Sequence, residues 1–484
     1  MLRRSALVAV TVVLLEATAK AATVSLDSAD RELLTTYARD TWRSLDALAA
    51  VGPLPADGLY RSDKGWTALG YTSPTNIAAY LWSTLAATDL GLIDREESDQ
   101  RLRQMLAALG RLERAHGFFF NWYDPRTGAR LQAWPDGSAV RPFLSTVDNG
   151  WLAAALIMVG NARPELRAEA EALLRPMNFG LFYDPYDPAD PIAHPGLLRG
   201  GYFTDVNALA GFHYGMLNTE PRIASYIGIA LGQLPREHYA RMTRGTATGP
   251  DGDRIVPSWD GTMFEALMVP LFVPEADWAP ASWGVNHALY VRAQIDYGLH
   301  DARLGYWGLS ASCDPAGGYR AFGVAALGAG APPLERATII TPHASFLALP
   351  FAPEEAMANL RALTRDFPVY GPYGFYDAVD ITTGRVCDCI LTLDQGMILA
   401  ALANALGTGE LQRAFSAGII EATIRPLLAA DRFEPEAGAA MALRNPKDDV
   451  LPPVSAPIAP SPAPPTAPAR RRRSKRRRGA GQAK

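Results

Sequence analysis

Only three cysteines and seven histidines occur in the 484 residues. With the histidines scattered, a catalytic metal centre is not expected, and Cys387-Asp-Cys389 offers two of the four ligands that a structural zinc site takes. In an oxidising compartment Cys313 can pair with Cys387 or with Cys389, which leaves one odd thiol. A phosphate-binding Walker loop, a G-x-G-x-x-G turn after a strand, an H-E-x-x-H helix and a G-x-S-x-G elbow are all missing. Their absence removes the common signatures of nucleotide binding, zinc proteolysis and serine hydrolysis. No cofactor and no metal is expected. Past the first residues, no stretch approaches the roughly 18 consecutive apolar residues that cross a bilayer.

What is present is ordinary globular material, 48% hydrophobic and 20% charged, enough to bury a large core. Met-Leu-Arg-Arg opens the chain, an apolar run follows over 6–15, and Ala19-Lys20-Ala21 supplies small residues at a cleavage spacing. This reads as a secretory signal over 1–21, with a short membrane anchor as the alternative because Glu16 crowds the run. The expected location is periplasmic or extracellular. At the other end, 441–484 is rich in Pro and Ala, lacks apolar periodicity and closes on Arg470 to Arg473, Lys475 and Arg476 to Arg478. It reads as a disordered basic tail suited to anionic envelope polymers or lipid, and export argues against nucleic acid. Nine lysines and arginines fall in 470–484, so against −4 overall the rest stands near −13. An acidic body suits a cleft lined with carboxylates.

Between those ends, 22–440 reads as one domain. Apolar residues recur at helical spacing over 77–90, 102–115, 147–159, 223–231, 263–272, 283–295, 353–363 and 397–406. Ser73-Pro74 places a cap before a first-turn proline, and Ser145 with Asp148 makes a capping box. Strand-like alternation is confined to short pieces such as 117–123 and 201–204, so no parallel sheet is expected. About a dozen helices joined by long loops rich in Trp and Tyr suit helical hairpins closed into an all-α ring, with loops at one mouth.

Thr72-Ser-Pro-Thr-Asn-Ile77, Asp89-Leu-Gly-Leu-Ile93, Phe120-Asn-Trp-Tyr-Asp124 and Ser145-Thr-Val-Asp-Asn-Gly150 occur in this order. Further along come Glu220-Pro-Arg-Ile-Ala-Ser225, Ser258-Trp-Asp-Gly-Thr-Met-Phe-Glu265, Gly371-Pro-Tyr-Gly-Phe-Tyr-Asp377 and Asp394-Gln-Gly396. Together they resemble the glucoamylase-like family, which includes bacterial endo-β-1,2-glucanases and is related to a region of cyclic β-1,2-glucan synthases. The resemblance spans nearly all of 30–432. It implies an (α/α)6 toroid and a carbohydrate cleft on one face. Ala266 departs from the family's usual Tyr, and Val269 interrupts its Leu-Met-Pro.

Glycoside hydrolysis needs an acid to protonate the leaving oxygen and a carboxylate or activated water opposite. Glu220 matches the family's catalytic glutamate, and Tyr214, Met216 and Ile223 could desolvate it; otherwise it complements a helix N-terminus. Asp148 serves as base or holds a water or hydroxyl, or else it only closes its capping box. Glu265 sits among apolar neighbours, as a second cleft carboxylate or in a salt bridge to a core arginine. Sugar-binding candidates are Asn121, Trp122, Tyr123, Arg222, Trp259, Asp260, Trp307, His343, Tyr376, Asp377, Asp394 and Gln395, the aromatics offering platforms and the polar groups hydroxyl partners. Asp184, Asp187 and Asp190 could bind calcium, but Asp-Pro repeats more often make turns. The reading is an exported glycoside hydrolase on a glucan, β-1,2-linked by resemblance. The alternatives are a transglycosylase on the same scaffold and a non-catalytic glycan-binding envelope protein.

Overall fold

The computed structural model describes residues 26–249, 252, 254–330 and 338–433. The apolar leader and the basic tail lie outside the described residues. Fifteen α-helices run through the described part. The first five are α1 (Ser28–Ala49), α2 (Pro74–Asp89), α3 (Arg95–Leu109), α4 (Thr146–Ala162) and α5 (Arg167–Leu174). Next come α6 (Arg222–Ala230), α7 (Glu237–Arg241), α8 (Met263–Leu267), α9 (Glu275–Trp278) and α10 (Val285–Asp296). The last are α11 (Pro342–Ala348), α12 (Pro353–Asp366), α13 (Thr392–Leu406), α14 (Glu410–Ser416) and α15 (Ile419–Ala429). No described helix is long and apolar enough to cross a membrane.

The helices fall into two kinds. α2 is buried at every residue from Pro74 to Ala87, and α4 and α13 are buried almost throughout. A helix apolar on all sides must be surrounded by protein. α2 accordingly packs between α4 and α13, α4 reaches α6, α13 reaches α11, and α11 reaches α8. Amphipathic helices cover this inner set: α3, which buries Leu102, Met105, Leu106 and Leu109, lies on α2, and α12, which buries Met357, Leu360 and Leu363, lies on α11.

Local sequence explains the starts. Ser73 accepts a hydrogen bond from the Asn76 amide ahead of Pro74, and the Ser145 hydroxyl accepts from the Asp148 amide at 3.2 Å. Several spans differ from the apolar spacing, and the helix expected over 397–406 starts at Thr392. The 102–115 repeat begins earlier, at Arg95, because Asp94 caps the Glu97 amide, and it ends at Leu109 before Gly110. The 263–272 repeat breaks after Leu267 into a 3₁₀ turn at Val269–Leu271, since Pro270 has no amide hydrogen and its ring would meet the Ala266 carbonyl.

The loops are not bare. They fold into short antiparallel ladders that satisfy backbone groups a buried loop would orphan, so the chain is helix-rich rather than purely helical. The strand Gly58–Ser62 pairs with both Gly65–Ala68 and Cys389–Leu391, tying the loop before α2 to the start of α13. Every ladder between named strands is antiparallel. Cys313 pairs with Cys387 across 74 residues, and Cys389 remains a buried thiol.

Candidate active site

The N-terminal ends of several inner helices meet at one open cleft. Thr75 and Asn76 come from α2, Asp148 and Trp151 from α4, Phe264 from α8 and Leu393 from α13. Asp57 and Glu220 join them from the loops before α2 and α6. Helix N-termini point unpaired amide hydrogens and the positive end of the dipole toward such a floor, so carboxylates gather there at reduced cost.

Glu220 and Asp148 therefore share one cleft. No other described residue donates a hydrogen bond to the Glu220 carboxyl. Burial, reinforced by the charge of Glu265, pushes its pKa up to about 8. The apolar surroundings read from sequence are present: Met216 and Ile223 are buried, and Tyr214 feels both Glu220 and Asp148. The helix-complement alternative would draw the pKa the other way, and burial outweighs it. A carboxyl that keeps its proton and takes no hydrogen bond from another residue can donate that proton to a ligand.

Asp148 is held differently. Its Oδ1 accepts from Thr75 Oγ1 at 2.6 Å and its Oδ2 from Ser145 Oγ at 2.6 Å. The Asn121 amide nitrogen adds a third bond to Oδ2 at 2.9 Å, in the amide orientation that also accepts Trp122 Nε1 at 3.1 Å. Burial raises the Asp148 pKa, and the hydroxyl donors work against that rise. The capping box and the cleft position thus coexist in one residue.

Glu265 is partly open, and its Oε2 accepts from the Asp260 amide at 3.0 Å. Burial and then the Asp260 charge push it up to about 7. Among the described residues no arginine pairs with Glu265, and Arg222, expected from sequence to bind sugar, is engaged inside the protein. Arg222, 1% exposed, pairs with Glu275 through Nε to Oε1 at 2.8 Å and Nη2 to Oε2 at 2.9 Å. It also donates to the Thr219 carbonyl at 3.1 Å and the Ala266 carbonyl at 3.0 Å. Its donors are spent inside the protein, bracing the segments that carry Glu220 and Glu265.

The remaining candidates divide by burial. Tyr123 is fully enclosed, its hydroxyl donating to the Glu113 carbonyl, and Trp307 is enclosed with its backbone held by Asn359. Gln395 is enclosed too, its amide donating to the Phe375 carbonyl. Trp122 packs edge-on against Tyr71 and Trp134. Tyr376 stacks on half-buried Trp66 at 5.7 Å and accepts from Arg61 Nη1 at 2.9 Å. Trp259 and Asp260 are half-buried beside Glu265.

Asp377, Asp394 and His343 are buried together. His343 Nδ1 stands 3.3 Å from Asp394 Oδ2, and Asp377 Oδ1 accepts from the Leu391 amide at 3.0 Å. Burial, then the Asp394 charge, raises the Asp377 pKa well above the carboxylate range. Cys313 and Cys389 sulfurs and an Asp377 oxygen lie within 4.8 Å of one another. With Cys313 bonded to Cys387, one thiol and one carboxylate remain, fewer donors than structural zinc uses. Asp184 is taken by His194 Nδ1 at 2.7 Å, His213 Nε2 at 2.8 Å and Arg199 Nη2 at 2.5 Å. Asp187 and Asp190 cap turns at the Ala189 and Ala193 amides, which is the plain-turn alternative to calcium.

Sequence reading passed over Asp57. Its Oδ1 accepts from Asn76 Nδ2 at 2.6 Å, and burial pushes its pKa up to about 7, with Asp148 and Asp394 adding to the rise. Asn76 lay inside a quoted motif; Asp57, in Asp-Gly before a strand, looks like any turn.

Residues 214–418, which hold Glu220, Glu265, Asp377 and Asp394, match the family model described as "Putative glucoamylase". Over these residues the chain is similar to the glucoamylase-like family that its motifs resemble. Residues 36–180 match a second model, described as a protein of unknown function (DUF3131). The cyclic β-(1,2)-glucan synthase NdvB of Rhizobium meliloti is 28% identical over 83% of this chain, which spans 19% of that protein's length. Among solved structures, an endo-β-1,2-glucanase from Chitinophaga pinensis, in complex with sophorotriose and glucose, superposes with a TM-score of 0.64 at 17% identity. That match covers 82% of this chain and 98% of the other. One from Talaromyces funiculosus, bound to sophorose, gives 0.62 at 12% identity, covering 82% and 88%. At these identities the likeness is one of fold.

Proposed function

We propose that this chain is a glycoside hydrolase acting on β-1,2-glucan, with Glu220 as general acid. The observation that carries the reading is the Glu220 carboxyl, which lines one cleft with Asp148 and takes no hydrogen bond from another described residue, burial raising its pKa to about 8. Glu220 gives its proton to the glycosidic oxygen as the bond to the anomeric carbon breaks. Water adds at that carbon and passes a proton to a cleft carboxylate, Asp148 being the one oriented by fixed donors. Glu265, close enough to repel Glu220, helps keep the acid protonated. The half-buried Trp259 and Trp66, the latter backed by buried Tyr376, are aromatic surfaces for sugar rings beyond the reacting unit. The names of the two glucanases above support the linkage.

The packing order α2, α4, α6 and α8, α11, α13 supports a six-membered inner ring, closed between α6 and α8 by Arg222. Such a ring would be the (α/α)6 arrangement that the motifs imply. The Cys313–Cys387 pair supports an oxidising compartment, hence export. The basic tail would then meet anionic envelope polymers or lipid.

Reducing-end release from linear β-1,2-glucan, with laminarin and starch as controls, tests the reading. Activity on the β-1,2-polymer alone, abolished by Glu220→Gln in a folded protein, is expected; equal activity in the variant would end it. The likeness to a glucan synthase favours a second reading, transfer to a sugar hydroxyl instead of water. Longer or cyclic products without new reducing ends would establish transfer.

A further inference from the structure

Asp57 and Asn76 lie side by side on the cleft floor with Asp148 and Glu220. Asp57 is 7% exposed and Asn76 4%, so both are sunk in the wall with only their tips reaching the open space. Between them a single bond is made, Asn76 Nδ2 to Asp57 Oδ1 at 2.6 Å. Among the described residues, no group donates to Asp57 Oδ2 or to the Asn76 amide oxygen. Two acceptors of fixed orientation are thus left unused at the cleft. Both residues line the cleft, where a ligand or water can complete these acceptors.

The surroundings hold this pair in place and give it no alternative partner. Asp57 takes its backbone hydrogen bonds on both sides, its amide to the Tyr71 carbonyl at 2.9 Å and its carbonyl from the Thr392 amide at 2.9 Å. The titratable groups that bear on it are Asp148 from α4, Asp394 from α13, and Tyr71 from its own side of the cleft. Cys389 and Asp377 lie behind it. None of these is a cation, so no ion pair satisfies the carboxyl.

We propose that Asp57 and Asn76 form a binding site for two adjacent hydroxyls of one glucosyl unit. The unused oxygens of a carboxyl and an amide, held together by their own hydrogen bond, present neighbouring acceptors that a vicinal diol matches. The diol donates one hydroxyl to each. Asp57 is then a substrate-binding residue that selects for a sugar with both hydroxyls free and correctly oriented. The inference rests on the glucan reading above.

The test is calorimetric titration of the Glu220→Gln chain with linear β-1,2-linked glucotriose, alone and combined with Asp57→Ala, Asp57→Asn or Asn76→Ala. At pH 8, above the point at which Asp57 gives up its proton, Asp57→Ala should weaken binding at least tenfold. Asp57→Asn should cost less, because its amide oxygen still accepts from Asn76. If Asp57→Ala fails to fold, judged by circular dichroism, Asn76→Ala reads the same site and should weaken binding about fivefold or more. Affinity within twofold of the parent in a folded Asp57→Ala or Asn76→Ala chain overturns the site while leaving the glucan reading in place. No binding by the Glu220→Gln parent overturns both.

Discussion

Gly150 of α4 lies so close to Ala224 of α6 that a Cβ on the glycine would stand 2.8 Å from the alanine Cβ. The contact sits within about one turn of Asp148, near the start of α4, and of Glu220, in the loop that leads into α6. Gly396 does the same for α13 against α2, where a Cβ would meet Ala79 Cβ at 2.8 Å. The floor of the cleft is therefore set by how closely inner helices approach.

Gly150→Ala should push α4 away from α6, destabilising the fold by about 1–3 kcal/mol through overpacking. The same shift moves Asp148 relative to Glu220, so turnover should fall more than affinity. Urea unfolding alongside kcat and KM checks both. An unchanged kcat in a destabilised protein would show that the spacing of these helices does not govern catalysis.

Glu220→Gln should lower kcat by about 10²–10⁴, the range for losing a general acid. In the wild type, activity should decline as pH rises through about 8, where Glu220 gives up its proton. A rate that climbs through that window would remove Glu220 as the acid.

The same carboxyls make a stability prediction. Glu220, Glu265 and Asp57 keep their protons to about 8, 7 and 7 when folded, against ordinary values of 4.5, 4.5 and 3.8. Across that window the folded chain binds more protons than the unfolded one, so their contribution to stability falls as pH rises. Replacing Glu220 by Gln should therefore raise the melting temperature at pH 8 to 9 and leave it nearly unchanged at pH 4. Scanning calorimetry of both proteins at the two pH values decides it.

Much of the frame could be read beforehand because it is local. Ser73-Pro74 and Ser145-Asp148 start α2 and α4 as capping chemistry requires, and the fully apolar stretches became the enclosed helices. Glu220 and Asp148 stand in one cleft because both occupy helix starts within recognisable motifs. What escaped was set by distant partners. Arg222 looked like a sugar ligand, but Glu275, 53 residues on, takes its guanidinium. Trp307 and Tyr123 looked like platforms, but nothing local distinguishes an aromatic on a cleft from one beneath it. Asp57 acquires its setting from Asn76, Asp148 and Asp394 on three helices.

Cys313 and Cys387 close a long loop that includes α11 and α12. Replacing Cys313 and Cys387 by serine should cost about 2–5 kcal/mol, chiefly by freeing the unfolded chain. Cys389→Ala should cost much less, since that thiol is unpaired. Unfolding midpoints with and without reductant should differ for the wild type and coincide for the double variant. A reductant-insensitive wild type would mean that the pair is not formed in solution.

The Arg222–Glu275 pair is where stability and catalysis meet most directly. Both residues are fully enclosed, and Tyr226 at 2.8 Å and His287 at 3.0 Å complete the Glu275 carboxylate. Burial opposes its charge, yet Arg222 holds Glu275 down to about 2, so the pair stays ionised across the range in which proteins work. Glu275→Ala strands a buried guanidinium and should cost about 3–5 kcal/mol. Glu275→Gln keeps the shape and one acceptor, and should cost less. The effect on activity follows from the two carbonyls Arg222 grips, Thr219 beside Glu220 and Ala266 beside Glu265. As that grip loosens, the repulsion between the two carboxyls changes, and the alkaline limb of the pH profile should move in Glu275→Gln while KM changes little. If kcat, KM and the pH profile all match the wild type in a folded Glu275→Gln protein, the brace serves the fold alone.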